Sequence, residues 1–158
     1  MKVRPAELQD ADVATEVVRQ SITELCRADY RDDRATLEMW LANKTPDNMR
    51  LWIETLHVVV AVDNATILGV AAMSRSGTLL LNYVAPDARL KGVSKALMAG
   101  LEVTAVNLGI EQLALESTVT ARSFYLAIGY VANGPSQPSF GLLISHPMRK
   151  VIRQPASM

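Results

Sequence analysis

Residues 84 to 97 read VAPDARLKGVSKAL: a β-type run closes on a proline, and a glycine opens a lysine-flanked helical pattern. A joint of this kind can hold phosphate. The start of a helix leaves as many as about four backbone N–H groups without intrahelical partners and carries the positive end of the helix dipole. Together these make an anion site. Gly92 lets the backbone turn tightly or approach a ligand with no Cβ in the way, and Arg89, Lys91 and Lys95 add positive charge. Neither G-x-x-x-x-G-K-S/T nor G-x-G-x-x-G occurs, which sets aside two common phosphate motifs, the triphosphate loop and the dinucleotide fingerprint.

Other chemistry is thinly supplied. Cys26 is the only cysteine and His57 and His146 are the only histidines, so no internal disulfide forms and a metal centre is not expected. All three lie in apolar stretches, where such residues are usually core or edge. Sixteen basic residues balance sixteen acidic ones, so overall charge makes no case for nucleic acid or an anionic membrane. The N-terminus MKVRPAELQDAD has no apolar h-region, and no run approaches the length of a membrane span. The expectation is a cytoplasmic protein without nucleic-acid or membrane partners.

The 158 residues suit a single domain over 1–158, large enough to bury roughly 68–70% of its unfolded surface. KVR reads as a short strand stopped by Pro5. Val13, Val17, Ile22 and Leu25 recur at helical spacing from Asp10 to about Arg27, and a second helix is expected in DRATLEMWLANK and a short third in DNMRLWIE. The period then changes. LHVVVAV and TILGVAAM read as strands joined through Asp63 and Asn64, and GTLLLNYVAP as a strand whose continuous apolarity predicts burial on both faces. The longest helix is expected from about Leu90 to Leu108, with Gly109 as its stop. EQLALES is a strand, TARSFYLAIGY a short helix, and FGLLISHPMRKVI a final strand. This mixture predicts an α/β (α+β) domain around one central sheet.

In that context the joint resembles the cofactor segment of the GNAT superfamily, the acetyl-CoA-dependent N-acyltransferases. The family pattern R/Q-x-x-G-x-G/A after a strand ending V-x-P appears here as Val84-Ala85-Pro86, then Arg89-Leu90-Lys91-Gly92-Val93-Ser94. Ser94 is the only departure, and its hydroxyl can donate to a phosphate oxygen. The second family signature, A-x-x-F-Y-x-x-x-G-F/Y, is complete as ARSFYLAIGY. The resemblance implies a single GNAT-like domain: a central mixed, mostly antiparallel sheet flanked by helices, with splayed central strands holding acetyl-CoA. It implies that the amides of Leu90, Lys91, Gly92, Val93, Ser94 and Lys95, with Arg89, cradle the pyrophosphate. Asn82, Tyr83 and Val84 would follow the pantetheine arm, with Thr118 standing where many relatives have asparagine. Dimers are frequent in the family, which keeps a homodimer open.

Transfer from a thioester to an amine needs a neutral amine, a polarised carbonyl and a proton for the departing thiolate. Tyr125 matches the family's tyrosine facing the coenzyme sulfur, where a phenol can donate; its bland alternative is a core aromatic. No carboxylate occurs in TLLLNYVAP, where many relatives carry a glutamate. Glu116 is the candidate base, with a water chain as the alternative. For the acceptor, the resemblance points to LCRADYRDDRATLEMW. Its acids read as a solvated turn, while Tyr30, Trp40 and Trp52 are candidate walls. The leading expectation is an N-acetyltransferase acting on a primary amine of a small molecule or peptide. The alternative is a non-catalytic acyl-CoA-binding sensor or regulatory module of the same fold.

Overall fold

Branched side chains suit a pleated sheet better than a helix turn, and the valine-rich middle of the chain forms the sheet that organises everything else. In the computed structural model, which describes residues 1–152, the order is β1 (Lys2–Pro5), α1 (Ala11–Leu25), α2 (Arg27–Tyr30), α3 (Arg34–Leu41), α4 (Pro46–Thr55), β2 (His57–Asp63), β3 (Thr66–Met73), β4 (Leu79–Val84), α5 (Val93–Asn107), β5 (Gln112–Ser117), α6 (Arg122–Ala127), β6 (Val131–Ala132), β7 (Gln137–Pro138) and β8 (Ile144–Val151). Residues 153–158 of the domain expected over 1–158 lie outside the described residues.

Strands β1-β2-β3-β4 form one antiparallel sheet, and β5-β8-β6 a second, with β7 also on β8. Among the described residues the two sheets are joined by one parallel bridge, Thr78 with Ala114, supported by the Ala114 N–H donating to Gly77 O at 3.0 Å. Beyond that bridge β4 and β5 have no ladder between them, and they part. The fold is thus the expected mixed, mostly antiparallel sheet flanked by helices.

Helices α1 and α5 both pack on β3. Gly69 makes the α5 contact close: a Cβ there would lie 2.7 Å from Val93 Cγ1 and 3.0 Å from Leu97 Cδ1. Helix α1 enters through a 3-10 turn, Leu8–Asp10, where the Asp10 carboxylate accepts from Arg4 at 2.8 and 3.1 Å and from the Glu7 N–H at 2.8 Å. Helix α2 ends because Arg31 and Asp32 both take positive φ, 54° and 51°. Asp33 then caps α3 by accepting from the Thr36 N–H at 3.0 Å, and Thr45 caps α4.

Three expectations are corrected. The hairpin turn falls on Asn64 and Ala65, since Asp63 still pairs with Thr66; Asn64 supplies the positive φ of 54°. The long helix begins at Val93, three residues late, because Leu90 and Gly92 have φ of 64° and 78°, outside helical space. Strand β4 is not buried on both faces: Leu79 and Leu81 are buried while Leu80 is 50% exposed. Its apolar run faces the gap left by the parting of β4 from β5.

Candidate active site

That gap is a cleft of about 500 Å³, walled by β4, the 88–95 joint, the end of β5, and α6. At one end α5 starts with Gly92 as its N-cap and no side chain caps it. The first helical bond runs from the Ala96 N–H to Gly92 O, 3.1 Å. The amides of Val93, Ser94 and Lys95 therefore have no helical acceptor, and they stand at the positive end of a 15-residue helix. Nothing lies within 4 Å of where a Gly92 Cβ would be, so the cradle is open space. Leu90, at φ 64° and 90% exposed, is a non-glycine residue held in left-handed conformation beside it. Such strain concentrates where a ligand is gripped.

Side chains sort themselves around this backbone. Arg89, Leu90, Gly92, Val93, Ser94 and Lys95 line the cleft. The Val93 side chain is buried against Gly69, so this residue offers its amide. Lys91 is exposed and is not among the lining residues. Charge in the cleft is polarised: Arg89 and Lys95 sit at the cradle, and among the described residues Glu116 is the one lining carboxylate. Among the described residues no group of His, Cys, Asp or Glu is arranged to hold a metal, and no helix is long and apolar enough to cross a membrane.

Toward the other end, Tyr125 on α6 meets Asn82 on β4, whose Nδ2 donates to Tyr125 Oη at 3.1 Å. The Tyr125 ring packs edge-on against Phe124 and Tyr130, at 5.1 and 5.6 Å. Burial pushes the Tyr125 phenol up to about 12, the Asn82 hydrogen bond opposing it. The phenol therefore keeps its proton through the neutral range and can serve as a donor. Asn82 Oδ1 is buried and has no partner among the described residues. Glu116 is exposed on the cleft wall. The Thr118 hydroxyl accepts from the Ala121 N–H at 3.2 Å, so it holds the turn into α6 while lining the cleft.

The three aromatics expected as acceptor walls stand away from this cleft. Tyr30 donates its hydroxyl to Thr23 O at 2.6 Å and lines a separate cavity with Glu24, Arg27 and Leu37. Trp40 donates to the hydroxyl of Tyr83 at 3.1 Å and packs edge-on against Phe140 at 6.4 Å. Trp52 is partly buried against the core. None of the three lines the cleft; the polar tips of Tyr30 and Trp40 are engaged by Thr23 O and the Tyr83 hydroxyl. Tyr83 and Val84 line it beside Asn82, and burial pushes the Tyr83 phenol up.

Ser21, Leu25 and Cys26, from the end of α1, complete the cleft without any sequence motif to mark them as wall residues, and Phe124 of ARSFYLAIGY lines it beside Tyr125. Asp29, which reads as part of a solvated turn, is buried and accepts from the Thr120 N–H at 3.0 Å and from the Thr120 hydroxyl. It ties α2 to the loop before α6 and so helps hold Tyr125 in place.

The arrangement can bind a polyanion at one end, an extended amide-bearing chain along the unpaired edge of β4, and a reacting group beside a protonated phenol. A family model described as acetyltransferase (GNAT) domain matches residues 26–152. The fold matches that of the GCN5-related N-acetyltransferase from Rhodopseudomonas palustris, at 24% identity and a TM-score of 0.85, over 95% of this chain and 94% of that one. It also matches the PaiA N-acetyltransferase from Thermoplasma acidophilum in complex with coenzyme A, at 18% identity and a TM-score of 0.78, over 95% and 98%. The yncA structure from Salmonella typhimurium, with its cofactor acetyl-CoA, matches at 20% identity and a TM-score of 0.75, over 100% and 97%. No curated protein sequence matches.

Proposed function

We propose, for a chain that belongs to the GNAT acetyltransferase family, that it transfers an acetyl group from acetyl-CoA to a primary amine of a small molecule or peptide. The observation that carries this reading is the open helix start at 92–95, which leads along one cleft to a protonated tyrosine. The residues present fit the coenzyme. The free amides of Val93, Ser94 and Lys95, with Arg89 and Lys95, answer the pyrophosphate. The edge of β4 facing the cleft has unpaired backbone groups that amides of a pantetheine arm can complete.

Bound acetyl-CoA supplies the activated acyl group, whose carbon–sulfur bond breaks as a carbon–nitrogen bond forms. Holding donor and acceptor in one cleft removes much of the entropic barrier. Tyr125 Oη gives its proton to the departing sulfur. Glu116, or water reaching the exposed end of β5, takes the proton that the nitrogen sheds. The single buried Cys26 thiol and the absence of any disulfide partner suit a cytoplasmic setting.

The test is release of free thiol from acetyl-CoA across a panel of amines, with the product identified by mass. Turnover with at least one amine supports the reading. Tight coenzyme binding with no turnover across alkyl, aryl and peptide amines favours the non-catalytic acyl-CoA sensor instead.

A further inference from the structure

Asn82 and Tyr125 are 43 residues apart in sequence and joined by one side-chain hydrogen bond. Its polarity matters. Asn82 Nδ2 is the donor, so it occupies a lone pair of the phenol and leaves the phenol's own proton unclaimed by Asn82. Among the described residues no other group accepts that proton. The ring itself cannot swing freely, wedged edge-on between Phe124 and Tyr130. The free variable is the direction of the O–H.

The other end of the same amide is the second observation. Asn82 Oδ1 is buried and has no partner among the described residues, which is costly for an acceptor with two lone pairs. Turning the amide by half a rotation would place Oδ1 against the phenol. Tyr125 would then donate its proton to Asn82 and lose it for chemistry. The observed orientation, with Nδ2 on the phenol oxygen, is the one that frees the proton.

We propose that Asn82 is the positioning residue of Tyr125: its Nδ2, held on the phenol oxygen, turns the phenol proton into the cleft. The proposal rests on the acyl-transfer reading. Within it, Tyr125 Oη hands its proton to the sulfur as the carbon–sulfur bond breaks and the carbon–nitrogen bond forms. The proton shed by the nitrogen returns to the phenol through water.

The side-chain amide resonance of Asn82 in ¹⁵N-labelled protein tests the geometry without turnover. Tyr125→Phe in the ligand-free protein moves that resonance; no movement overturns the pairing. Kinetically, Asn82→Asp keeps the size and the acceptor but removes the donor. It lowers kcat at least about ten-fold in the wild-type background, within the range of general acid assistance, with the KM for acetyl-CoA within about three-fold. In a Tyr125→Phe background the same change costs less than about two-fold. Equal losses in both backgrounds would show that Asn82 acts independently of Tyr125. If no amine turns over, the acyl-transfer reading falls, and the resonance still decides whether Asn82 and Tyr125 are coupled.

Discussion

Replacing Gly69 with alanine probes how the coenzyme end of the cleft is held. Gly69 stands opposite Val84 in the β3–β4 ladder. A Cβ at this position meets Val93 Cγ1 at 2.7 Å, Leu97 Cδ1 at 3.0 Å and Tyr83 O at 3.1 Å. Carbon atoms prefer separations of about 3.5–4.0 Å, so α5 must withdraw by roughly 1 Å. Val93 and Leu97 are 2% and 0% exposed, and neither side chain can relax into solvent. Overpacking of this kind costs about 1–3 kcal/mol. Fewer unfolded conformations for alanine than for glycine offset about 0.4–1 kcal/mol of it. The net loss expected is about 1–2 kcal/mol, read as a lower urea midpoint at unchanged m. Because Val93 is the first residue of α5, the same shift moves the cradle amides, and affinity for acetyl-CoA by calorimetry falls about ten-fold, or about 1.4 kcal/mol. Val93→Ala removes the clashing Cγ1. In the double variant the two stability costs therefore fall short of their sum by about 1 kcal/mol. A Gly69→Ala protein that unfolds and binds like the wild type, or strictly additive costs, would refute the close-contact explanation.

Three further outcomes are expected. Ser94→Ala loses at most one hydroxyl bond, worth about 0.5–1.5 kcal/mol or up to about 3 to a charged partner, whereas Ser94→Glu sets a carboxylate against the pyrophosphate; calorimetric titration with acetyl-CoA separates mild weakening from lost binding, and normal binding by Ser94→Glu refutes the cradle. Tyr125→Phe keeps coenzyme affinity and lowers kcat by about 10²–10⁴-fold, the usual weight of a general acid; steady-state kinetics with an accepted amine that give a full-speed variant exclude Tyr125 from the chemistry. The Arg4 hydrogen bonds, aided by the Glu7 N–H, hold the Asp10 carboxyl below its usual value of 3.8. A depressed folded value makes its contribution complete above the unfolded value and lost as pH falls through the folded one. The stability difference between wild type and Asp10→Asn, measured by urea unfolding, is therefore flat near neutrality and shrinks below about pH 4; a difference that does not change on acidification refutes the role given to this pair.

Local chemistry made much of this protein readable in one dimension. The run HVVVAV could only be content in a buried strand, and the 3.6-residue stripe of Val93, Leu97 and Leu101 had to face a core. Both motifs were legible because each is contiguous: VAPDARLKGVS builds its anion site from neighbouring amides, and ARSFYLAIGY carries its tyrosine on a single helix. What tertiary structure alone decided depends on partners distant in the chain. The apolarity of Leu80 says nothing of the gap before it, which exists because, among the described residues, the bridge of Thr78 with Ala114 just before β4 is not continued as a ladder between β4 and β5. Asp29 is ordinary in its own turn and becomes a buried brace only because Thr120, 91 residues on, comes to meet it. Tyr30 and Trp40 carry the composition of a binding wall, but Thr23 O and the Tyr83 hydroxyl engage their polar tips inside the fold. The donor that orients Tyr125 on α6 reaches it from strand β4, 43 residues away in the chain. Periodicity and motif report what a residue does with its chain neighbours; the direction of a hydrogen bond between elements is settled only when packing brings donor and acceptor together and removes the water that would otherwise satisfy both.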